Sequence, residues 1–119
     1  MKRILVIDDD HFNLEALVEL LEFNGYDVRA ADSGERGLQL AREMHPDMIM
    51  CDILMTPISG FDVIQALNVG EDTAHIPVII VSALTEPASI HRGMELGAIE
   101  FLRKPFEQNQ LLAALRQPA

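Results

Sequence analysis

The sequence predicts an α/β fold, a parallel sheet with helices on both of its faces, and three observations lead to it. Five short apolar runs alternate with five segments that carry apolar residues at helical spacing. Regular alternation of this kind favours right-handed crossovers, which lay each helix over the sheet. Three of the runs, 4–7, 48–51 and 78–81, are continuously apolar, as strands covered on both faces are. Each of those three also ends abruptly in polar residues: Asp8-Asp9-Asp10, Asp52 and Ser82.

Asp10 can cap a helix over 11–24, in which Leu14, Leu17, Val18 and Leu21 recur at helical spacing and after which Gly25 is placed to end it. The run 27–31 alternates weakly and is expected at an edge of the sheet. Ser33 caps a second helix through Met44, with Gly37 its poorest helix former. Pro46-Asp47 cannot easily continue that helix, so the apolar run 48–51 reads as a strand that delivers Asp52 to a sheet edge. A loop carrying Thr56-Pro57 and Ser59-Gly60 follows, then a short helix near 61–67 and a polar loop over 68–76. Pro77 opens the fourth strand. A helix over 88–96 contains Gly93 and has Ile90, Met94 and Leu96 as apolar anchors, so weak packing is expected of it. Gly97 ends it, 99–102 forms a fifth strand, and Lys104-Pro105 precedes a last helix with Phe106, Leu111, Leu112 and Leu115 inward.

One domain spanning 1–119 is expected, because 119 residues of which 49% are hydrophobic suffice for a core and no linker or repeat interrupts them. The formal net charge of −10, from 19 acidic against 9 basic residues, opposes direct contact with nucleic acid, which needs clustered Lys and Arg. Cys51 is the one cysteine and reads as a small buried side chain, so neither a disulfide nor a zinc site is expected. His11, His45, His75 and His91 lack metal-ligand spacing. No apolar run approaches the roughly 18 residues that span a bilayer, and the run after Met1-Lys2-Arg3 is too short for a signal peptide. A cytoplasmic protein without membrane insertion is expected.

In a parallel sheet the polar strand ends meet, and open α/β sheets bind ligands outside the carboxyl ends of their strands. Asp8, Asp9, Asp52 and Ser82 therefore form a candidate site. Helix capping explains any one strand-terminal Asp, but less readily three strands at once. Two carboxylates about 4 Å apart repel by on the order of 4 kcal/mol at an effective dielectric of 20, so a hard divalent cation is called for. Mg²⁺, with a few carboxylates, water and phosphate oxygens, suits this set and implies a phosphoryl ligand. Lys104, at the end of the fifth strand, could pair first with Asp52 and then with a phosphate oxygen.

The chain resembles the receiver domain of two-component response regulators over essentially its whole length. The likeness is carried by Ile4-Leu5-Val6-Ile7-Asp8-Asp9-Asp10, by Asp52-Ile53-Leu54-Met55 with Gly60, by Val81-Ser82-Ala83, and by Gly97-Ala98 through Phe101-Leu102-Arg103-Lys104-Pro105. It implies a flavodoxin-like sheet of strand order 2-1-3-4-5. It also implies that Asp52 accepts a phosphoryl group from a sensor histidine kinase or histidine phosphotransfer protein. Mg²⁺ would be ligated by Asp9, Asp52 and the Leu54 carbonyl, with Asp8 helping through water. Ser82 and Lys104 would bind the acyl phosphate, and Lys104-Pro105 would be a cis peptide. Ser82 and Phe101 would act as the switch, and the face made by the fourth helix, fifth strand and fifth helix would recruit a downstream partner. Such a domain is a signalling module, and it promotes only its own phosphorylation and dephosphorylation.

Two departures from the family pattern stand out. Thr56 occupies the place usual for proline, which comes one residue later as Pro57, and Phe101 stands where Tyr is frequent, so a switching ring here has no hydroxyl. Leu54 and Leu84, the positions expected to flank an attacking water, are both apolar, which predicts a long-lived phosphoryl group. Two other readings compete. Asp8-Asp9-Asp10 fits the Asp-x-Asp of haloacid-dehalogenase-like phosphatases, but His11-Phe12 stand where that motif wants a small residue and Thr, and that family needs a cap over its substrate. A phosphorylation-independent interaction domain is the third, yet it need not keep Asp9, Asp52, Ser82 and Lys104 together.

Overall fold

The computed structural model describes residues 2–84 and 86–116. Strands β1 (Arg3–Ile7), β2 (Asp27–Ala31), β3 (Met48–Cys51), β4 (Val78–Ser82) and β5 (Glu100–Arg103) alternate with helices α1 (His11–Phe23), α2 (Gly34–Met44), α3 (Gly60–Val69), α4 (Pro87–Glu95) and α5 (Gln108–Leu115). The strands form one parallel sheet of order β2-β1-β3-β4-β5. The residues flanking the expected domain limits, 1 and 117–119, lie outside the described residues.

Side chains of a strand point to alternate faces, so a continuous apolar run feeds two cores. Ile4, Val6, Met48, Met50, Ile79 and Val81 pack against α1 and α5 through Leu14, Leu21, Leu111 and Leu115. Their neighbours Leu5, Ile7, Ile49, Cys51 and Ile80 pack on the other face with Ala41, Phe61, Ile64 and Leu67 of α2 and α3. This double burial is why β1, β3 and β4 show no hydrophobic alternation.

The Asp10 carboxylate caps α1 by accepting from Phe12 N at 3.0 Å and Asn13 N at 3.2 Å. Gly25 and Gly97, at φ +90° and +102°, take the left-handed turns that follow α1 and α4. Ser33 Oγ accepts from Arg36 N at the start of α2. No helix among the described residues is long and apolar enough to cross a membrane.

Several boundaries differ from the sequence expectation. α3 begins at Gly60 because Ser59 and Asp62 form a reciprocal capping box, and it runs on through Asn68 and Val69 where a loop was expected. Val69 is 86% exposed, so the last turn is hydrogen-bonded without being packed. α4 begins at Pro87, whose fixed φ and missing N–H suit the first turn. Met94 is 43% exposed and belongs to neither core; the buried residue of α4 is Gly93. β5 pairs from Glu100 to Arg103, one residue beyond the apolar run, with Ser82 opposite Arg103.

Two glycines permit close approaches of very different rigidity. A Cβ on Gly60 would overlap the Asp52 carbonyl oxygen and lie 2.8 Å from Ile53 Cα, both backbone atoms, whereas one on Gly93 would meet only the Cδ1 end of Ile80 at 2.5 Å. Gly60→Ala is therefore expected to lower the unfolding free energy by about 2 kcal/mol, the usual scale of overpacking. Gly93→Ala is expected to be near neutral, since Ile80 can turn and alanine is the better helix former. Urea midpoints at unchanged m values measure both, and equal losses would refute the distinction.

Candidate functional site

The strand ends converge as the topology requires, and backbone bonds fix them there. Beyond the strands proper, Asp8 N donates to Ala31 O at 3.1 Å, Asp52 N to Ile7 O at 3.0 Å and Lys104 N to Ser82 O at 2.9 Å. Each bond continues the sheet ladder by one rung, so Asp8, Asp52 and Lys104 are held in register at its carboxyl edge.

Their side chains meet. Lys104 Nζ lies 3.1 Å from Asp8 Oδ2 and 3.5 Å from Asp52 Oδ2, with the carboxylate side chains only 6% and 10% exposed and Lys104 23%. The second oxygens are held by amides: Asp10 N donates to Asp8 Oδ1 at 2.9 Å, and Leu54 N to Asp52 Oδ1 at 3.2 Å. Asp9, half-buried at the rim, accepts from Thr56 N at 3.4 Å. Ser82 is fully buried, and its Oγ accepts from Leu84 N at 3.3 Å.

One ammonium thus serves two desolvated carboxylates. Burial pushes the Asp52 carboxyl above its ordinary range, Lys104 pulls it back, Asp8 raises it further, and the Leu54 and Ile53 amides lower it. Burial likewise pushes the Cys51 thiol upward, with Asp52 and Asp8 adding to it, so it is an inert core group.

Among the described residues no three acidic, histidine or cysteine side chains close around a common point. Asp9 turns to Thr56 N while Asp8 and Asp52 face Lys104. The donor set nevertheless fits a small hard cation, for it is all oxygen and its negative charge exceeds that of Lys104.

Other expected residues fall around this centre. Leu54 is exposed at the rim and Leu84 is half-buried. Phe101 pairs with Ile80, two residues before Ser82, and is half-buried beside Gly93. The peptides Lys104–Pro105 and Thr56–Pro57 are both cis. The Asp8 and Asp10 carboxylates do not form a nucleophile and acid pair, because that of Asp10 caps α1. A cleft of about 560 Å³, lined by Asn13, Leu17, Leu20, Val81, Pro105 and Phe106, opens onto Asp8 and Lys104. The amides of Leu54, Thr56 and Leu84 went unread in the sequence, and so did the Gly60 N to Ile53 O bond of 3.0 Å that folds the loop back. Beside Pro57 and Gly60, the spacing of Ser59 and Asp62 was an available signal of that turn.

The Response regulator receiver domain profile matches residues 4–116. The DNA-binding dual master transcriptional regulator RpaA of Synechocystis sp. is 40% identical over 98% of this chain and 48% of its own length. Protein PilH of Pseudomonas aeruginosa is 35% identical over 97% of this chain and 95% of its own. The chain therefore spans about half the length of RpaA, and likewise of the mycobacterial DNA-binding response regulator MtrA, but nearly all of PilH. Among solved structures, the Vibrio cholerae chemotaxis protein CheY4 superposes with a TM-score of 0.90 at 28% identity, covering 97% of this chain and 96% of that one.

The shared ammonium yields opposite expectations for its partners. Because the folded Asp52 holds its proton more tightly than the unfolded one, folding stability falls as pH rises from the ordinary Asp value of 3.8 through the raised one. Asp52→Asn removes that loss and leaves Asp8 and Lys104 paired one to one, so at pH 7 in EDTA it is expected to gain about 1 kcal/mol. The gain should shrink as pH falls. Lys104→Met strands two carboxylates and is expected to lose about 2 kcal/mol, less than a fully buried pair because Lys104 is 23% exposed. Urea unfolding across pH checks both, and a destabilised Asp52→Asn at pH 7 would refute the account.

Proposed function

The chain belongs to the response regulator receiver domain family, and from that premise we propose that Asp52 is its phosphoryl acceptor, served by Asp8, Asp9, Ser82 and Lys104. Receiver domains of this family interact with histidine kinases and effector domains. The observation that carries the reading is the Lys104 ammonium held between Asp8 and Asp52 at the carboxyl edge of the sheet.

The chemistry follows from that arrangement. Asp52 Oδ2 attacks the phosphorus of a phosphohistidine donor, a P–O bond forms as the P–N bond breaks, and the imidazole nitrogen keeps the electron pair. Desolvation raises the basicity of Asp52, and the amide on its other oxygen fixes the orientation of the carboxylate. The negative charge then passes from carboxylate to phosphoryl oxygens, and Lys104 follows it as a fixed point charge. Ser82 gives up its bond from Leu84 N and donates its hydroxyl to a phosphoryl oxygen. Asp8, Asp9, Asp52 and the Leu54 carbonyl would hold Mg²⁺, which when bound neutralises charge on the phosphoryl group. Phe101 moves with Ser82, and α4, β5 and α5 present the altered face to a protein partner.

The donor would be a sensor histidine kinase or a histidine phosphotransfer protein, and the setting cytoplasmic. DNA binding is named for RpaA and MtrA, which are twice as long; at a net charge of −10, contact with protein and not with DNA is the role proposed for this chain.

Acetyl phosphate with Mg²⁺ is expected to give one base-labile adduct of about 80 Da by intact mass, absent from Asp52→Asn. An adduct that survives in Asp52→Asn, or none in the parent, would sink the assignment. The lifetime of that adduct makes a further test. Leu54 at the rim and half-buried Leu84 offer no hydrogen bond to an attacking water. Leu54→Asn with Leu84→Glu is expected to speed dephosphorylation about tenfold, or roughly 1.4 kcal/mol of barrier. Decay after donor removal measures it, and a double variant no faster than the parent would show that these side chains do not set the lifetime.

A further inference from the structure

α4 is held with little apolar burial. Gly93 is its one buried residue, whereas each other helix buries two or more, and its N-cap residue Glu86 makes no side-chain cap bond. Apart from the partly buried Leu96 at its C-cap, contacts other than core packing must therefore fix its place. Two come from α3. Asn68 Nδ2 donates to the Leu96 carbonyl at the C-cap of α4, at 2.7 Å. The Arg92 guanidinium lies over the Phe61 ring, with Cζ 4.3 Å from its centroid, well inside the range of about 6 Å for cation–π attraction.

Phe61 is buried and directly follows Gly60. Gly60 in turn is bound to Ile53 O through its N–H and has no room for a Cβ against the Asp52 carbonyl. The ring under Arg92 is thus joined by backbone, through two tight contacts, to the residue at the centre of the site.

We propose that Arg92 is a positioning residue for α4: stacked on Phe61, it forms a clasp that ties the placement of this helix to the loop that follows Asp52. The clasp has two arrangements, stacked or released, since Arg92 is otherwise exposed to water. A ring-face contact is sensitive to lateral displacement, so a shift of Phe61 with its loop releases it. The Asn68 to Leu96 bond then remains as a pivot at the C-terminal end, beside Gly97, and the uncapped N-terminal end of α4 swings. This contact is separate from any movement of Ser82 or Phe101, and its test requires no phosphoryl chemistry.

Arg92 also stands in the last turn of α4, where a positive charge favours the helix dipole, and the experiment separates the two roles. Amide hydrogen exchange on the ligand-free full chain is expected to quicken about tenfold over residues 89–93 in Arg92→Gln and to stay unchanged in α1. The Gly60 and Ile53 amide NMR signals are expected to shift with it. Arg92→Lys keeps the charge without the planar stack and should lie nearer the Gln variant than the parent. In the Phe61→Leu background, Arg92→Gln should add nothing. Unchanged exchange in Arg92→Gln, full retention in Arg92→Lys, or an equal effect of Arg92→Gln with and without Phe61→Leu would each overturn the clasp as stated, and the last would leave only the dipole.

Discussion

A single half-buried ammonium facing two buried carboxylates is the constraint on which the rest of the structure depends. Desolvated like charges repel, and Lys104 at 3.1 and 3.5 Å offsets only one of them. The arrangement is tolerated because three ladder bonds, from Asp8 N, Asp52 N and Lys104 N, lock the three residues to the sheet independently of their side chains. Sheet register is thus the means by which an unfavourable cluster is kept assembled. The two cores flanking the sheet supply the stability that this requires, since Ile4, Leu5, Ile49, Met50, Ile79 and Ile80 are fully buried in the strands leading to it.

How much of this was legible in sequence follows from where burial and hydrogen bonding coincide. β1, β3 and β4 carry apolar residues on both faces, so their runs and their polar ends stood out together. At the edge the two signals part: Arg103 is exposed yet paired with Ser82, while Ile99 belongs to the apolar run and lies outside the strand. The end of α3 was missed for the same reason, because Asn68 and Val69 continue the helix without feeding the core. Met94 is the converse, an apolar residue at helical spacing that faces water.

The site divides along a similar line. Asp8, Asp9, Asp52, Ser82 and Lys104 were readable because carboxylate, hydroxyl and ammonium groups at strand ends are chemically marked. The amides of Leu54, Thr56 and Leu84, which hold Asp52, Asp9 and Ser82, were not. Every residue but proline carries an N–H, and only the backbone path decides which of them points at a carboxylate. Here the path is set by Gly60 folding back on Ile53 and by the Ser59 and Asp62 capping box, so a turn and a cap add a smaller contribution to that of Lys104 at Asp52.

The same economy of burial governs what can move. A close-packed core cannot absorb a change of charge or volume at Asp52 by small continuous adjustments, so displacement passes to elements with few buried contacts. On the α1 and α5 side, Leu14, Leu21, Leu111 and Leu115 fasten both helices to the sheet. On the other side α2 and α3 are fastened through Ala41, Met44, Ile64 and Leu67. α4 alone sits on the sheet through a glycine, with Ile80 and Phe101 beneath it, Arg92 reaching across to Phe61 of α3 and Asn68 of α3 reaching back to Leu96. A helix with one small buried residue, a partly buried C-cap leucine and two ties to α3 changes position at lower cost than its neighbours, and it lies one turn of α3 from the loop that carries Asp52. Low burial in α4 and high charge density at Asp52 are therefore the two features on which the proposed coupling between them rests.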